Sequence, residues 1–184
     1  MTIISAASRV EIFLDHSNFY NGLRQQFGDG RIDFVKLVNR IIGPRLLTHF
    51  NIYTGTVDEG REPVKASAQQ RFFTAIRHLP FPVRHFTLPL RYYASWPQTP
   101  PQEKGVDARI VQDLIMGAVD RSYDVAVLLS GDQDFCEVVK LLSTRFPVKM
   151  ETYYPMSRRH LFEASHSCFT HSEVITKIFY KDIS

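Results

Sequence analysis

The sequence predicts a doubly wound α/β fold: a single Rossmann-like, three-layer domain whose central, mainly parallel β-sheet is flanked by helices. Three observations predict it. Val10 to Leu14 and Val125 to Leu129 are short, unbroken apolar runs, the pattern of strands buried on both faces of a parallel sheet. Further strand-like runs alternate with stretches whose apolar residues recur at helical spacing, which implies parallel strands joined by helical crossovers. Both buried runs also end at a turn carrying a carboxylate, Asp15 in one and Asp132 in the other, where open α/β sheets form their ligand crevice.

Taken in order, Val10–Leu14 is the first strand. After Asp15, Ser17 and Asn18 are natural N-caps, and Phe19, Leu23 and Phe27 continue as an apolar helical face that stops at Gly28-Asp29-Gly30. Asp33 caps a second helix bearing Phe34, Leu37, Val38, Ile41 and Ile42, ended by Gly43-Pro44. Leu46–Thr54 reads as a strand through Phe50, Ile52 and Tyr53, and 57–62 as a polar loop. Pro63 opens a long helix to Leu79, with Ala68, Phe72, Ala75, Ile76 and Leu79 as its expected buried stripe. Val83–Tyr93 is strand-like, but Pro89 cannot donate to a ladder and marks an edge or a kink. Residues 94–103 hold three prolines and no periodicity, so they form a surface loop. Val106, Ile110, Val111, Leu114, Ile115 and Ala118 mark an amphipathic helix. The central strand then turns sharply at Ser130-Gly131 into a helix carrying Phe135, Val138, Val139 and Leu142. Val148–Tyr154 is one more strand, and 157–179 is expected to be helical in parts, with Ser172 as a candidate cap.

A chain of 184 residues supports one well-buried core, so residues 1–184 are expected as one domain with its core over about 9–180. Hydrophobic content of 44% with 22% charged residues is ordinary globular composition. The formal charge of +3 permits a polyanionic partner without demanding one, and the 22 Lys and Arg are too scattered for a basic tail. Cys136 and Cys168 form no CxxC or metal-finger pattern, which fits a reducing, cytoplasmic setting. Met1 to Ser8 is too short and too polar for a signal peptide, and no stretch approaches the roughly 18 apolar residues that span a membrane.

Four aspartates carry the functional argument. Asp15 and Asp132 end the two buried strands, so both face one crevice if those strands are neighbours. Asp134 opens the following helix, and Asp107 sits in the first turn of the helix after the Pro-rich loop, where Gly105 lets the chain bend toward the sheet. Alone, Asp132 and Asp134 have a simpler account, as a helix cap and an acid in a positively polarised first turn. Four carboxylates at one crevice repel at neutral pH unless a hard divalent cation, Mg²⁺ or Mn²⁺, lies among them. Such an ion supports phosphodiester hydrolysis with no side-chain nucleophile, and no Ser-His-Asp or Cys-His arrangement is recognisable.

Asp15-His16-Ser17-Asn18, Lys104-Gly105-Val106-Asp107 and Ser130-Gly131-Asp132-Gln133-Asp134-Phe135 resemble, in this order, the three motifs of NYN domains. These are PIN-like, metal-dependent ribonuclease folds that include the bacterial LabA-type proteins, and the resemblance spans residues 9 to about 180. It implies that Asp15, Asp107, Asp132 and Asp134 form a catalytic, metal-holding cluster, with Asn18 and Ser130 supporting it by hydrogen bonds. It also implies Mg²⁺- or Mn²⁺-dependent hydrolysis of RNA. Two departures stand out: His16 is larger than the small residue often found there, and His166 falls about where related sequences tend to carry an Asp. Neither removes a primary ligand.

Around the crevice, Lys104, Arg158 and Arg159 are candidates for holding an RNA backbone, and Tyr92, Tyr93 and Trp96 for stacking unpaired bases. Each has a plainer alternative, as a solvated or loop-packing side chain. Asp113 lies about 240° around the helix from Asp107 and is expected, with Asp120, to be exposed; Asp124 is expected in a turn at the far end of the sheet. His160, His166 and His171 match no tetrahedral zinc spacing. A haloacid-dehalogenase-type phosphatase fits less well, because Phe135 stands where a hydroxyl is wanted and the Asp pair comes late in the chain. The rival from another class is a non-catalytic NYN module that binds RNA or a protein partner and keeps a vestigial metal site. The four aspartates weigh against it, since a surface built only to bind RNA gains by losing negative charge. The strand around Pro89 also offers an edge through which a homodimer can pair.

Overall fold

β1 (Arg9–Asp15) lies inside a six-stranded sheet ordered β3-β2-β1-β4-β5-β6, with every pairing parallel. The computed structural model describes residues 7–155 and the strand 167–169. From β1 the chain passes through α1 (His16–Phe27) and α2 (Phe34–Ile42) to β2 (Leu46–Thr56), then through α3 (Pro63–Arg77) to β3 (Val83–Pro89). α4 (Val106–Val119) brings it back to β4 (Val125–Leu129) on the other side of β1, and α5 (Cys136–Arg145) leads to β5 (Lys149–Tyr153). The direction of winding therefore reverses between β1 and β4. That switch point leaves a crevice outside the carboxyl ends of the two strands. Leu14 is in register with Leu129, which sets Asp15 and Ser130 side by side at its mouth.

Strand alternation divides the core into two layers. Val10, Ile12 and Leu14 of β1 pack with Val125, Val127 and Leu129 of β4 against α1, α2 and α3. Phe13 packs with Ala126 and Leu128 against Ile110 and Leu114 of α4 and Val138, Val139 and Leu142 of α5. Both faces of the central strands are thus covered, which is why their sequences read as unbroken apolar runs. Each fully buried Leu, Ile or Val side chain contributes roughly 1.5–3 kcal/mol, so the strand ends are held on a stiff platform.

Three expectations need correction. The N-cap of α1 is Asp15, not Ser17 or Asn18: its carboxylate accepts the Asn18 N–H at 3.2 Å. β1 runs into α1 without a loop, so the last extended residue (φ −74°, ψ 93°) has to do the capping. In α3 the buried residues are Ala66, Phe73 and Ile76, while Ala68 and Ala75 are exposed. α3 covers the outer strands and meets the sheet along one narrow side; Ala68, Phe72, Ala75 and Leu79 face an open apolar groove of about 870 Å³ beside the start of α1. Finally, β6 (Ser167–Phe169) pairs with β5 inside the stretch expected to be partly helical. Three residues are too few for a periodicity to be read, and the rest of 157–179 lies outside the described residues. β3 is at the sheet edge with Pro89 as its last residue, as the missing donor requires. Among the described residues no helix is long and apolar enough to cross a membrane.

Candidate active site

The crevice is built around Asp15, which is 3% exposed at the end of β1. The Ser130 hydroxyl donates to Asp15 Oδ2 at 3.0 Å and accepts the Asp132 N–H at 3.2 Å. Asn18 Oδ1 accepts the Gly131 N–H at 2.9 Å, and Asp132 Oδ1 accepts the Asp134 N–H at 3.0 Å, capping the 3₁₀ turn Gln133–Phe135. The ends of β1 and β4 are thereby sewn together by side chains of both motifs. A Cβ on Gly131 would collide with the Tyr154 ring, which also fills the space beside Gly22, so the turn runs close over that aromatic.

Asp107 enters from the other layer. Gly105, left-handed at φ 86°, stands at the N-cap of α4 and turns the chain so that Asp107 falls in the first turn. Two residues before Gly105, Glu103 Oε2 accepts the Ser17 hydroxyl at 2.9 Å and the Gly55 N–H at 2.7 Å. Burial pushes the Asp15 carboxyl up to about 7, against the lowering effect of its bonds from Asn18 and Ser130; the charges of Glu103 and Asp107 push the same way as burial. Asp107 is raised as well, by burial first and then by Asp132, Glu103 and Asp134. The structure therefore brings Asp15, Asp107, Asp132 and Asp134 into one electrostatic neighbourhood, with Glu103 as a fifth carboxylate. None of the described ion pairs gives any of the five a cationic partner.

The donors are oxygens alone, carboxylates backed by a hydroxyl and an amide, which suits Mg²⁺ or Mn²⁺ better than zinc. Among the described residues, no three Asp, Glu, His or Cys side chains are drawn close enough to grip one ion.

The remaining candidates divide. Lys104 is exposed beside Glu103 and Gly105 at the crevice. Arg158 and Arg159 lie outside the described residues, as do His160, His166 and His171. Asp113 is not exposed as expected: it accepts from the Tyr53 hydroxyl and from Arg109 Nε, each at 2.9 Å, because β2 places the Tyr53 phenol beneath its turn of α4. Asp120 is exposed, and Asp124 receives the Arg9 N–H and guanidinium at the opposite end of the sheet. Tyr92 and Trp96 meet edge to face at 6.0 Å, and the Tyr92 hydroxyl accepts the Asp58 N–H and donates to Glu62. They pack the Pro-rich loop onto the 57–62 loop, with the Arg61 guanidinium 5.0 Å and 5.8 Å from their rings. Tyr93 lies under Arg91. His16 stacks on Phe72 at 4.4 Å, and burial lowers its pKa to about 4, so the ring is neutral at pH 7.

Sequence reasoning missed Glu103, Gly55 and Tyr154. Glu103 directly precedes Lys104-Gly105-Val106-Asp107, a usable signal, but its partners lie 86 and 48 positions away.

Comparison with known proteins agrees with this architecture. A crystal structure of a protein of unknown function from Vibrio parahaemolyticus superposes with a TM-score of 0.70 at 18% identity, covering 91% of this chain and 94% of that one. At that identity the likeness concerns the fold. No curated protein matches the chain significantly. The NYN domain model matches residues 9–173, which takes in the Asp15, Asp107 and Asp132–Asp134 segments together. With nearly its whole length matched, the chain belongs to the NYN domain family, a family of nuclease-like domains.

Proposed function

We propose that this protein is a Mg²⁺- or Mn²⁺-dependent ribonuclease that hydrolyses RNA phosphodiester bonds at the β1–β4 crevice. The observation that carries the reading is the buried Asp15 carboxylate, level with Ser130 and beside Asp107, with no described cationic partner. An uncompensated carboxylate in such surroundings costs stability unless a cation completes it. Asp15, Asp107, Asp132 and Asp134 would hold the ion or ions. When bound, the metal polarises the phosphate, activates a water and offsets charge on the attacking and leaving oxygens.

The chain's own residues divide the remaining work. Ser130 and Asn18 keep Asp15 and the Gly131 turn aligned, so the carboxylates need little rearrangement on loading. Asp132 is oriented by its own bond to the Asp134 N–H. Lys104 flanks the crevice and suits a phosphate contact; Arg158 and Arg159 follow β5 and suit the same task. Arg61, exposed over the Tyr92 and Trp96 rings, adds a further cation in the loop after β2.

The test is purified wild type beside Asp132→Asn, each incubated with labelled single-stranded RNA in Mn²⁺, in Mg²⁺ and in EDTA. The expected result is metal-dependent cleavage that the substitution abolishes. Cleavage that survives the substitution, or that ignores EDTA, overturns the assignment. A second reading, a non-catalytic RNA- or protein-binding module, draws support from the absence of three converging ligands among the described residues. It requires RNA to be left uncut by both proteins, and retained by both if RNA is the partner.

A further inference from the structure

We propose that the apolar groove beside the start of α1 is a base-binding subsite, taking one unpaired base of the RNA strand whose phosphate lies in the crevice. This rests on the reading of RNA as the substrate. The groove opens between α1, the α1–α2 connection and α3, and its volume of about 870 Å³ falls within the roughly 300–1,000 Å³ of small-ligand sites. It begins one residue from the crevice: His16 lines it, and Asp15 directly precedes His16, with consecutive Cα atoms ~3.8 Å apart. Three rings give the groove its character. The His16 imidazole stacks on Phe72 at 4.4 Å and lies 6.0 Å from the Tyr20 ring at an interplanar angle of 26°, and Tyr20 is 37% exposed. None of the described hydrogen bonds uses a His16 ring nitrogen, although an imidazole always keeps an N–H to donate. By contrast Tyr92 and Trp96, expected to stack bases, pack two loops together.

Charge and position name the occupant. Lys65 and Arg31 line the groove, both exposed, each with one surface ion pair, to Glu62 and to Asp29, that a phosphate can displace. Asp33 is the one carboxylate lining the groove, and it is turned to the Lys36 N–H as the cap of α2. The crevice next door carries five carboxylates, which repel a polyanion. RNA has to be gripped there through its uncharged parts, and stacking on aromatic rings does this whatever the base. An apolar peptide would leave both cations unused.

The experiment measures affinity for a short single-stranded RNA by fluorescence anisotropy, in Mg²⁺ and in the Asp132→Asn background so that the strand stays whole. Each nucleotide in turn is made abasic, which removes a base and keeps every phosphate. One or two neighbouring abasic positions are expected to weaken binding at least about fivefold, and the others by less than about twofold. Ala68→Trp fills the groove from an exposed position on α3. It is expected to weaken binding of the intact RNA by as much, and to reduce the penalty at the sensitive position to less than about twofold, with an unchanged melting temperature. Tyr20→Leu keeps the apolar bulk, removes the ring, and is expected to lower the same penalty by at least about half. Equal penalties at all positions, or a penalty undiminished in a folded variant, overturn the proposal and leave the groove to an apolar partner other than RNA. Cleavage by wild type is read separately: cutting without position dependence removes this inference alone, whereas neither cutting nor binding removes the ribonuclease reading with it.

Discussion

Ser130 Oγ lies 3.0 Å from Asp15 Oδ2, although the two residues are 115 positions apart. The bond crosses from the end of β4 to the end of β1, two strands that become neighbours only because the winding reverses between them. It delivers a proton donor to the most buried carboxylate of the crevice, and its hydroxyl oxygen in turn orients the Asp132 backbone. Four predictions follow from this corner of the molecule and its surroundings.

Removing the Ser130 hydroxyl takes a hydrogen bond from a buried carboxylate. Ser130→Ala is expected to lower stability by about 1–3 kcal/mol and to weaken Mn²⁺ binding by about 10–100-fold. Chemical denaturation in EDTA reads the first effect and calorimetric titration the second. Unchanged metal affinity would separate Ser130 from the site.

Asp15 ties stability to function with opposite signs. Its carboxyl is raised to about 7 in the folded protein, above the ordinary aspartate value. A raised folded value stabilises at low pH, and that contribution is lost as pH rises through about 7. Asp15→Asn stays uncharged and can still cap α1. In EDTA at pH 8 it is expected to be more stable than wild type by on the order of 2 kcal/mol, while metal-dependent cleavage disappears. Thermal melts across pH 5–9 test the stability arm; parallel curves for the two proteins would refute it.

His16 gives the reverse slope. Its folded pKa, lowered to about 4, lies below the ordinary histidine value, so the neutral ring's contribution is complete above about 6.5 and is lost as pH falls toward 4. The loss is on the order of 2 kcal/mol for a ring stacked on Phe72 and half-buried. His16→Phe keeps the stacking and removes the titration. Its stability, relative to wild type, is expected to rise as the pH is lowered from 6.5 to 4.5, measured by urea unfolding at fixed ionic strength.

Gly131 is held to glycine by Tyr154. Gly131→Ala is expected to cost about 1–3 kcal/mol and to shift the Asp132 carboxylate, because the added methyl meets the ring rather than the end of a flexible chain. The double variant with Tyr154→Leu should regain part of the loss, a coupling that a double-mutant cycle in urea resolves. Strict additivity would mean that the two residues do not touch.

Much of this was legible in the chain itself. The unbroken apolar run at 125–129 and the Ser130-Gly131 turn gave away a buried strand and its crevice, because a strand covered on both faces has no polar side to display. Asp33 and Gly28 marked helix ends through chemistry local to them. What misled was geometry set from outside the segment. The α3 stripe was misplaced because helical periodicity names an apolar arc but not which part of it the sheet will cover. Asp113 was expected in solvent because nothing near it in sequence announces the Tyr53 phenol.

By itself, then, the sequence determined the alternation of strands and helices, the parallel sheet, and the four aspartates at turns and first helical turns. These follow from periodicity and local backbone preference, which act over a few residues. Only the tertiary structure decided that β1 and β4 are neighbours, that Ser130 reaches Asp15, and that Glu103 joins them. Those relationships depend on strand order and crossover direction, which bring together groups 48 to 115 positions apart. No local propensity encodes such distances; the packing of two core layers against one sheet does.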